Sequence, residues 1–274
     1  MIYNNLDPVL FSIGPLSVRY YGLAYAIGLI ATYLFLKHMA STRKEIVFNK
    51  RDVDDMFIYI MLGMIIGGRI GYVLIYNPSF YLTQPLAILE MWRGGMSFHG
   101  GVAGVVLGIL LYTRGHNKKA GKTIKKKIGA YDITDLLTIP AGFSLALGRL
   151  ANFTNHELYG RITDVPWAVK FKGVDGFRHP SQIYEALYSV ALGGIQWFLL
   201  THGLAKGMLT WSFIVLYGAF RFITEFFRQP DLQMGDGGFF FGWMTTGQIL
   251  SIVMILVGGF MVRSIYIQSM KEYE

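Results

Sequence analysis

The residues with the most chemistry to offer lie in the stretch 148–160, GRLANFTNHELYG, where Arg149, Asn152, Asn155, His156 and Glu157 follow directly on an apolar run. Charges and amides at the end of a hydrocarbon-spanning segment are expensive. An Arg or Asp at the centre of a spanning helix costs about 2.5–3.5 kcal/mol on insertion scales. An internal partner or a polar ligand has to offset that cost. A second group lies in YGAFRFITEFFRQPD, which holds Arg221, Glu225 and Arg228 at a spacing that predicts one helical face. Two arginines and one acid leave positive charge unneutralised. Guanidinium forks match phosphate oxygens two at a time, so the group suits an anionic ligand oriented by Glu225. The alternative is an internal salt bridge that neutralises charge for insertion.

Other polar residues interrupt apolar sequence. Arg69, inside MLGMIIGGRIGYVLIY, is either a packing arginine satisfied by backbone carbonyls or an anion ligand. His99, in RGGMSFHGGVAGV, is flanked by glycines that permit close approach of a ligand, though a lone histidine can equally be a packed side chain. RHPSQIYE brings Arg178, His179, Ser181, Gln182 and Glu185 to the start of a span. Pro180 and Ser181 read there as a helix start and its cap, which leaves the Arg-His pair unexplained. In RYYGLAY, Tyr20 and Tyr21 occupy an outer membrane edge, where tyrosines form interfacial belts. Asp135 stands early in another apolar run, at an expected interface. The candidates are rich in arginine and poor in acids, without metal-ligand spacing, P-loop or dinucleotide fingerprint, so neither a metal nor a cofactor is expected. A net-positive pocket open to bilayer and outer surface asks for an anionic, lipid-soluble ligand. A phospholipid fits.

The elements that must position these residues are membrane helices. Of 274 residues 53% are hydrophobic and 15% charged, against about 25% charged in soluble domains. A mean hydropathy of +0.41 agrees. The net charge of +8 collects in loops between apolar runs, where topology requires it, and does not indicate nucleic-acid binding. There is no cysteine, which excludes disulfides, thiolate metal sites, a cysteine nucleophile and palmitoylation. The opening MIYNNLDPVL lacks the basic region of a cleaved signal peptide, so the first apolar segment is expected to remain.

The sequence predicts an all-α membrane protein, one polytopic domain over residues 1–274 with seven transmembrane helices near 19–37, 55–76, 96–112, 133–152, 183–200, 208–227 and 243–262. Each is long enough for a hydrocarbon core of about 30 Å. Residues 1–18 are expected to lie along the interface, and the aromatic and proline-bearing loop 77–95 to form an interfacial helix. Residues 153–180 are expected to make a small extracytoplasmic subdomain, with WAVKF as a short strand. Basic loops after the first, third and fifth spans, with the tail from Arg263, place the C-terminus in the cytoplasm and the N-terminus outside. TRGHNKKAGKTIKKKIG is the strongest of these signals and reads as a topological anchor. The polar motifs then share the outer side. A lipid flippase or transporter with a positive central site would also use intramembrane arginines and broken helices, but no internal repeat is present.

GRLANFTNHELYG resembles the signature of the bacterial prolipoprotein diacylglyceryl transferases, with Gly-Arg-x-small-Asn-Phe-x-Asn-x-Glu-x-x-Gly intact and Thr154 where an apolar residue is usual. DPVLFSIGPLSVRYYGL, GGRIGYVL, GGMSFHGG, RHPSQIYE and YGAFRFITEFFRQPD resemble the same family. The resemblance implies transfer of the diacylglyceryl group of phosphatidylglycerol to the lipobox cysteine of a preprolipoprotein signal peptide, with release of glycerol phosphate. That is the first step of lipoprotein maturation, at the bacterial inner membrane among membrane lipids. It also implies that the family's functional residues fall on Tyr21, His99, Arg149, Asn152, Glu157, Gly160, Arg221 and Glu225, with Arg69, Asp135, His179 and Arg228 as further members. On that reading Arg149 and Arg221 bind the phosphate and Asn152 and Glu157 position headgroup and arginines. His99 is then the candidate general base, its ordinary pKa near 6.5 suiting the role.

Overall fold

A computed structural model describes residues 2–14, 16–91, 94–120, 127–230, 238–240 and 242–271. The expected topological anchor falls outside the described residues at 121–126, as does most of the loop 228–242. The described chain is mostly helical, and each predicted apolar run coincides for most of its length with a helix: α1 (Tyr20–Thr42), α2 (Lys50–Ile75), α4 (Phe98–Ala120), α5 (Ala130–Thr154), α6 (Ser181–Leu200), α7 (Met208–Thr224) and α8 (Thr246–Lys271). Between α2 and α4 the loop forms a short helix α3 (Pro78–Thr83) and a 3-10 turn, Pro85–Leu89. Among the described residues five helices, α1, α2, α5, α6 and α8, are long and apolar enough to cross a membrane. The chain is therefore a multi-pass membrane protein.

The helices overrun the apolar runs where polar residues cap them. Asn49 accepts from the backbone N–H groups of Arg51 and Asp52, while the Asp52 carboxylate accepts from the Asn49 N–H, so α2 starts within the charged NKRD sequence. Such a reciprocal cap satisfies N–H groups that a helix end otherwise leaves unpaired. At the start of α7 the task falls to a distant residue. Asp135, on α5, accepts from the N–H groups of Gly207 (2.6 Å) and Thr210 (2.9 Å).

The chain divides into two compact units, residues 33–133 and residues 1–32 with 134–274. In the first, α2 and α4 cross on glycine. Gly63, Gly67 and Gly71 meet Gly100 and Gly104, Gly108 packs on the Tyr59 carbonyl, and a Cβ at Gly71 would lie 2.7 Å from the Cα of Gly100. Small residues four apart let helix backbones approach where lipid supplies no hydrophobic drive for association.

The other unit contains strands that the sequence reading did not anticipate. Residues 1–18 are expected from the sequence to lie along the interface, with no strand assigned to them. Instead β1 (Ile2–Asn4) pairs in parallel with β4 (Val169–Phe171), while β2 (Val9–Ile13) and β3 (Leu16–Arg19) form a hairpin through Gly14 at φ 57°. The expected WAVKF strand exists, as β4. Phe171, 1% exposed, anchors it among Phe153, Tyr159 and His156.

α6 is built inside out. Ser181, Gln182, Glu185, Ser189 and Gln196 are buried, at helical spacing, whereas Leu187 and Phe198 are exposed. An apolar exterior around a polar interior is what lipid demands of a helix that lines a polar site. Ser181 does not cap the helix as expected. Its hydroxyl donates to the Leu158 carbonyl at 2.9 Å, which ties α6 to the loop after α5.

Candidate active site

The polar face of α6 receives both arginines of the two sequence motifs. Arg149, near the end of α5, places Nε 2.6 Å from Oε2 of Glu185, and Arg221 places Nη1 2.7 Å from Oε1 of the same carboxylate. Arg221 turns Nη2 to Glu225, one helical turn on, also at 2.7 Å. Glu185 is 1% exposed, so one carboxylate inside the protein holds two guanidiniums at once. Burying such charges without mutual contact would be prohibitive, and the shared geometry is what makes the cluster tenable.

The network extends from both ends. Arg149 Nη1 donates to Asn152 Oδ1 (3.3 Å), and Asn152 Nδ2 donates to Glu157 Oε1 (2.7 Å). Gln182 Nε2 donates to the Glu157 carbonyl, which fixes the turn from α6. This turn is irregular. His156 and Leu158 both have φ near +57°, at 57° and 56°, a conformation that side-chain-bearing residues rarely adopt. At the far end Thr245 Oγ1 donates to Glu225 Oε1 (2.9 Å), and a Cβ at Gly247 would press on that carboxylate.

Arg228 differs from the sequence expectation. α7 ends at Thr224, so Arg228 does not share a helical face with Arg221. It stands in an extended segment that bridges to Gly160, within electrostatic reach of Arg221, Arg149, Glu185 and Glu225. Burial, reinforced by the Arg221 charge, holds its pKa below the ordinary arginine value. Its Nε is buried and makes no hydrogen bond among the described residues. Three guanidiniums thus face the two carboxylates of Glu185 and Glu225.

Gly160 sits where the loops converge. Its N–H donates to the His179 carbonyl (2.9 Å), and an added Cβ would meet the Phe227 carbonyl at 2.5 Å and the His179 side chain at 2.6 Å. Gly160→Ala is therefore expected to push the loop bearing Arg228 away, at about 1–3 kcal/mol, the usual cost of overpacking. A lowered thermal midpoint would be the result to measure.

His179 Nδ1 lies 3.1 Å from the Tyr184 hydroxyl with its ring against Phe227, and burial lowers its pKa. Tyr21 lies 3.3 Å from the Tyr25 hydroxyl, and the charges of Glu157 and Arg149 bear on its phenol. Arg69 and His99 belong to the unit 33–133. The Arg69 guanidinium, 5% exposed, donates to the carbonyls of Ala87, Ile88, Glu90, Gly94 and Gly95, which is the packing alternative of the sequence reading. His99 is exposed in the first turn of α4.

A family model for prolipoprotein diacylglyceryl transferase matches residues 8–264. The chain belongs to the prolipoprotein diacylglyceryl transferase family. A curated relative from Geobacter sulfurreducens, a phosphatidylglycerol–prolipoprotein diacylglyceryl transferase, is 43% identical over 94% of this chain and 95% of its own length. Relatives of that name from Bordetella parapertussis (41% identical, covering 93% and 94%) and Oleidesulfovibrio alaskensis (43%, covering 93% and 92%) are similar to the same extent. In this diacylglyceryl transferase the residue that sequence reasoning passed over is Glu185. It had been noted only as the end of RHPSQIYE. The available signal was the polar stripe Ser181, Gln182, Glu185, Ser189 and Gln196 on an otherwise apolar helix.

Proposed function

We propose that the chain transfers the diacylglyceryl group of phosphatidylglycerol to the lipobox cysteine of a preprolipoprotein, in the bacterial inner membrane. The observation that carries the reading is the buried pair Arg149 and Arg221 on one carboxylate, with Arg228, whose Nε makes no hydrogen bond among the described residues, beside it. Such a surplus of fixed donors suits an anion that enters from lipid. Seven spans put the N-terminus outside and the C-terminus in the cytoplasm, so the arginine cluster faces the extracytoplasmic side. The basic loops support that orientation.

In the reaction the cysteine sulfur, as thiolate, attacks the glycerol carbon that carries the phosphodiester. A C–S bond forms and the C–O bond to phosphate breaks, its electron pair leaving with glycerol phosphate. Charge grows on the departing phosphate, where preorganised guanidiniums stabilise it most. Arg149, Arg221 and Arg228 hold the phosphate, while Glu185 and Glu225 orient the forks. Asn152 and Glu157 fix Arg149, and Gly160 and His179 shape the loop. Tyr21 contacts the lipid at the mouth. Arg69 anchors the loop after α3, its donors being engaged by carbonyls. His99 takes the thiol proton. His99→Asn is expected to lower turnover about 10²–10⁴-fold, the range for loss of a general base. Undiminished turnover of that variant would remove His99 from the mechanism.

The direct test places purified protein in phosphatidylglycerol vesicles with a peptide bearing a single lipobox cysteine. Mass spectrometry is expected to find a diacylglyceryl adduct there, and none with a Cys→Ser peptide or in phosphatidylethanolamine vesicles. Absence of the adduct with folded protein would refute the reading.

A further inference from the structure

The cluster contains one polar group that none of the contacts above employ. Tyr188 lies one turn beyond Glu185 on the buried face of α6 and is 7% exposed. Its ring stacks on Phe220 at 5.5 Å and 8° between planes, with the Tyr217 ring edge-on at 6.2 Å. That packing fixes the direction in which the hydroxyl points. The hydroxyl is buried and has no hydrogen-bond partner among the described residues. Tyr188 shares the buried face of α6 with Glu185, the residue that holds Arg149 and Arg221, and so stands beside the arginine cluster.

A buried hydroxyl with no partner is a standing cost, and native proteins seldom leave one unless something else supplies the partner. The adjoining carboxylate of Glu185 is already engaged by two guanidiniums. We propose that Tyr188 is a substrate-binding residue whose phenolic hydroxyl donates to an oxygen of the anionic lipid headgroup held by Arg149 and Arg221. This rests on the transferase reading given above. Arginine supplies charge and is indifferent to the rest of the headgroup. A rigidly held neutral donor adds a demand on where the acceptor oxygen lies, and so contributes selectivity among anionic lipids.

Tyr188→Phe isolates the question, because it removes the hydroxyl and keeps the ring on Phe220. Kinetics in vesicles of graded phosphatidylglycerol content, at saturating lipobox peptide, should show kcat/KM for the lipid reduced about ten- to hundredfold, as for a lost hydrogen bond to a charged group. The KM for peptide should not move, and the thermal midpoint should be unchanged or raised, since a desolvated hydroxyl has gone. Wild-type lipid kinetics in the variant would overturn the proposal while leaving the transferase reading intact. A drop in kcat/KM accompanied by a lower thermal midpoint and an equal loss toward peptide would overturn it too, in favour of a packing role. Wild-type protein that leaves the peptide unmodified would instead overturn the transferase reading, and this assignment with it.

Discussion

Glu185→Gln is expected to lower kcat/KM for diacylglyceryl transfer by on the order of a hundred- to thousandfold while removing no group that touches the lipid. The carboxylate is 1% exposed and sets two guanidiniums at 2.6 and 2.7 Å. An amide of the same shape carries no charge, and its NH₂ end can only confront a guanidinium. At least one of Arg149 and Arg221 must then turn away. Displacing a positioning group by about 1 Å can cost about 100-fold in rate, and here at least one of the two guanidiniums is released. Stability should fall as well, by about 3–5 kcal/mol, because breaking a buried pair leaves an uncompensated charge inside the protein. Activity measured at a temperature where the variant is shown folded separates the two effects. Glu185→Asp offers a second check. It retains the charge and shortens the reach by one methylene, so it should recover stability more fully than rate. Full activity in Glu185→Gln would show that the arginines keep their positions without the carboxylate.

How far this site could be read from sequence depends on which contacts are local. Arg149, Asn152 and Glu157 fall within nine residues and meet one another, so a single motif contains their relationship. Arg221 and Glu225 are likewise one helical turn apart. The apolar runs located the helices because the cost of burying backbone in lipid leaves few other choices. What escaped is non-local. Glu185 lies 36 residues from each arginine, and only the packing of α5, α6 and α7 brings them to one carboxylate. The exit of Arg228 from its expected face depends on where α7 ends, and helix ends are poorly specified by pattern alone. For Arg69 the sequence posed the right alternatives. Choosing between them required knowing where the carbonyls of residues 87–95 point. The N-terminal strands escaped because three- to five-residue strands are too short for alternation to register, and β1 finds its partner more than 160 residues later.

Arg221→Lys tests whether charge alone suffices in the cluster. Arg221 spans two carboxylates at once, Nη1 to Glu185 and Nη2 to Glu225, both at 2.7 Å. One ammonium is a compact point charge and cannot occupy both positions. Lysine would have to choose a carboxylate and leave the other short of a partner, and it would lose the flat fork that takes two phosphate oxygens together. Net charge is unchanged, so a mechanism that needs only a positive field predicts activity near that of the parent. The observed geometry instead predicts a fall in kcat/KM of about 10²–10³-fold, the scale of losing one preorganised donor to a developing oxyanion. Because that loss is felt chiefly as the leaving phosphate gains charge, most of it should appear in kcat and little in the KM for phosphatidylglycerol. A purely higher KM would assign Arg221 to ground-state capture of the lipid and leave stabilisation of the leaving group to Arg149 and Arg228.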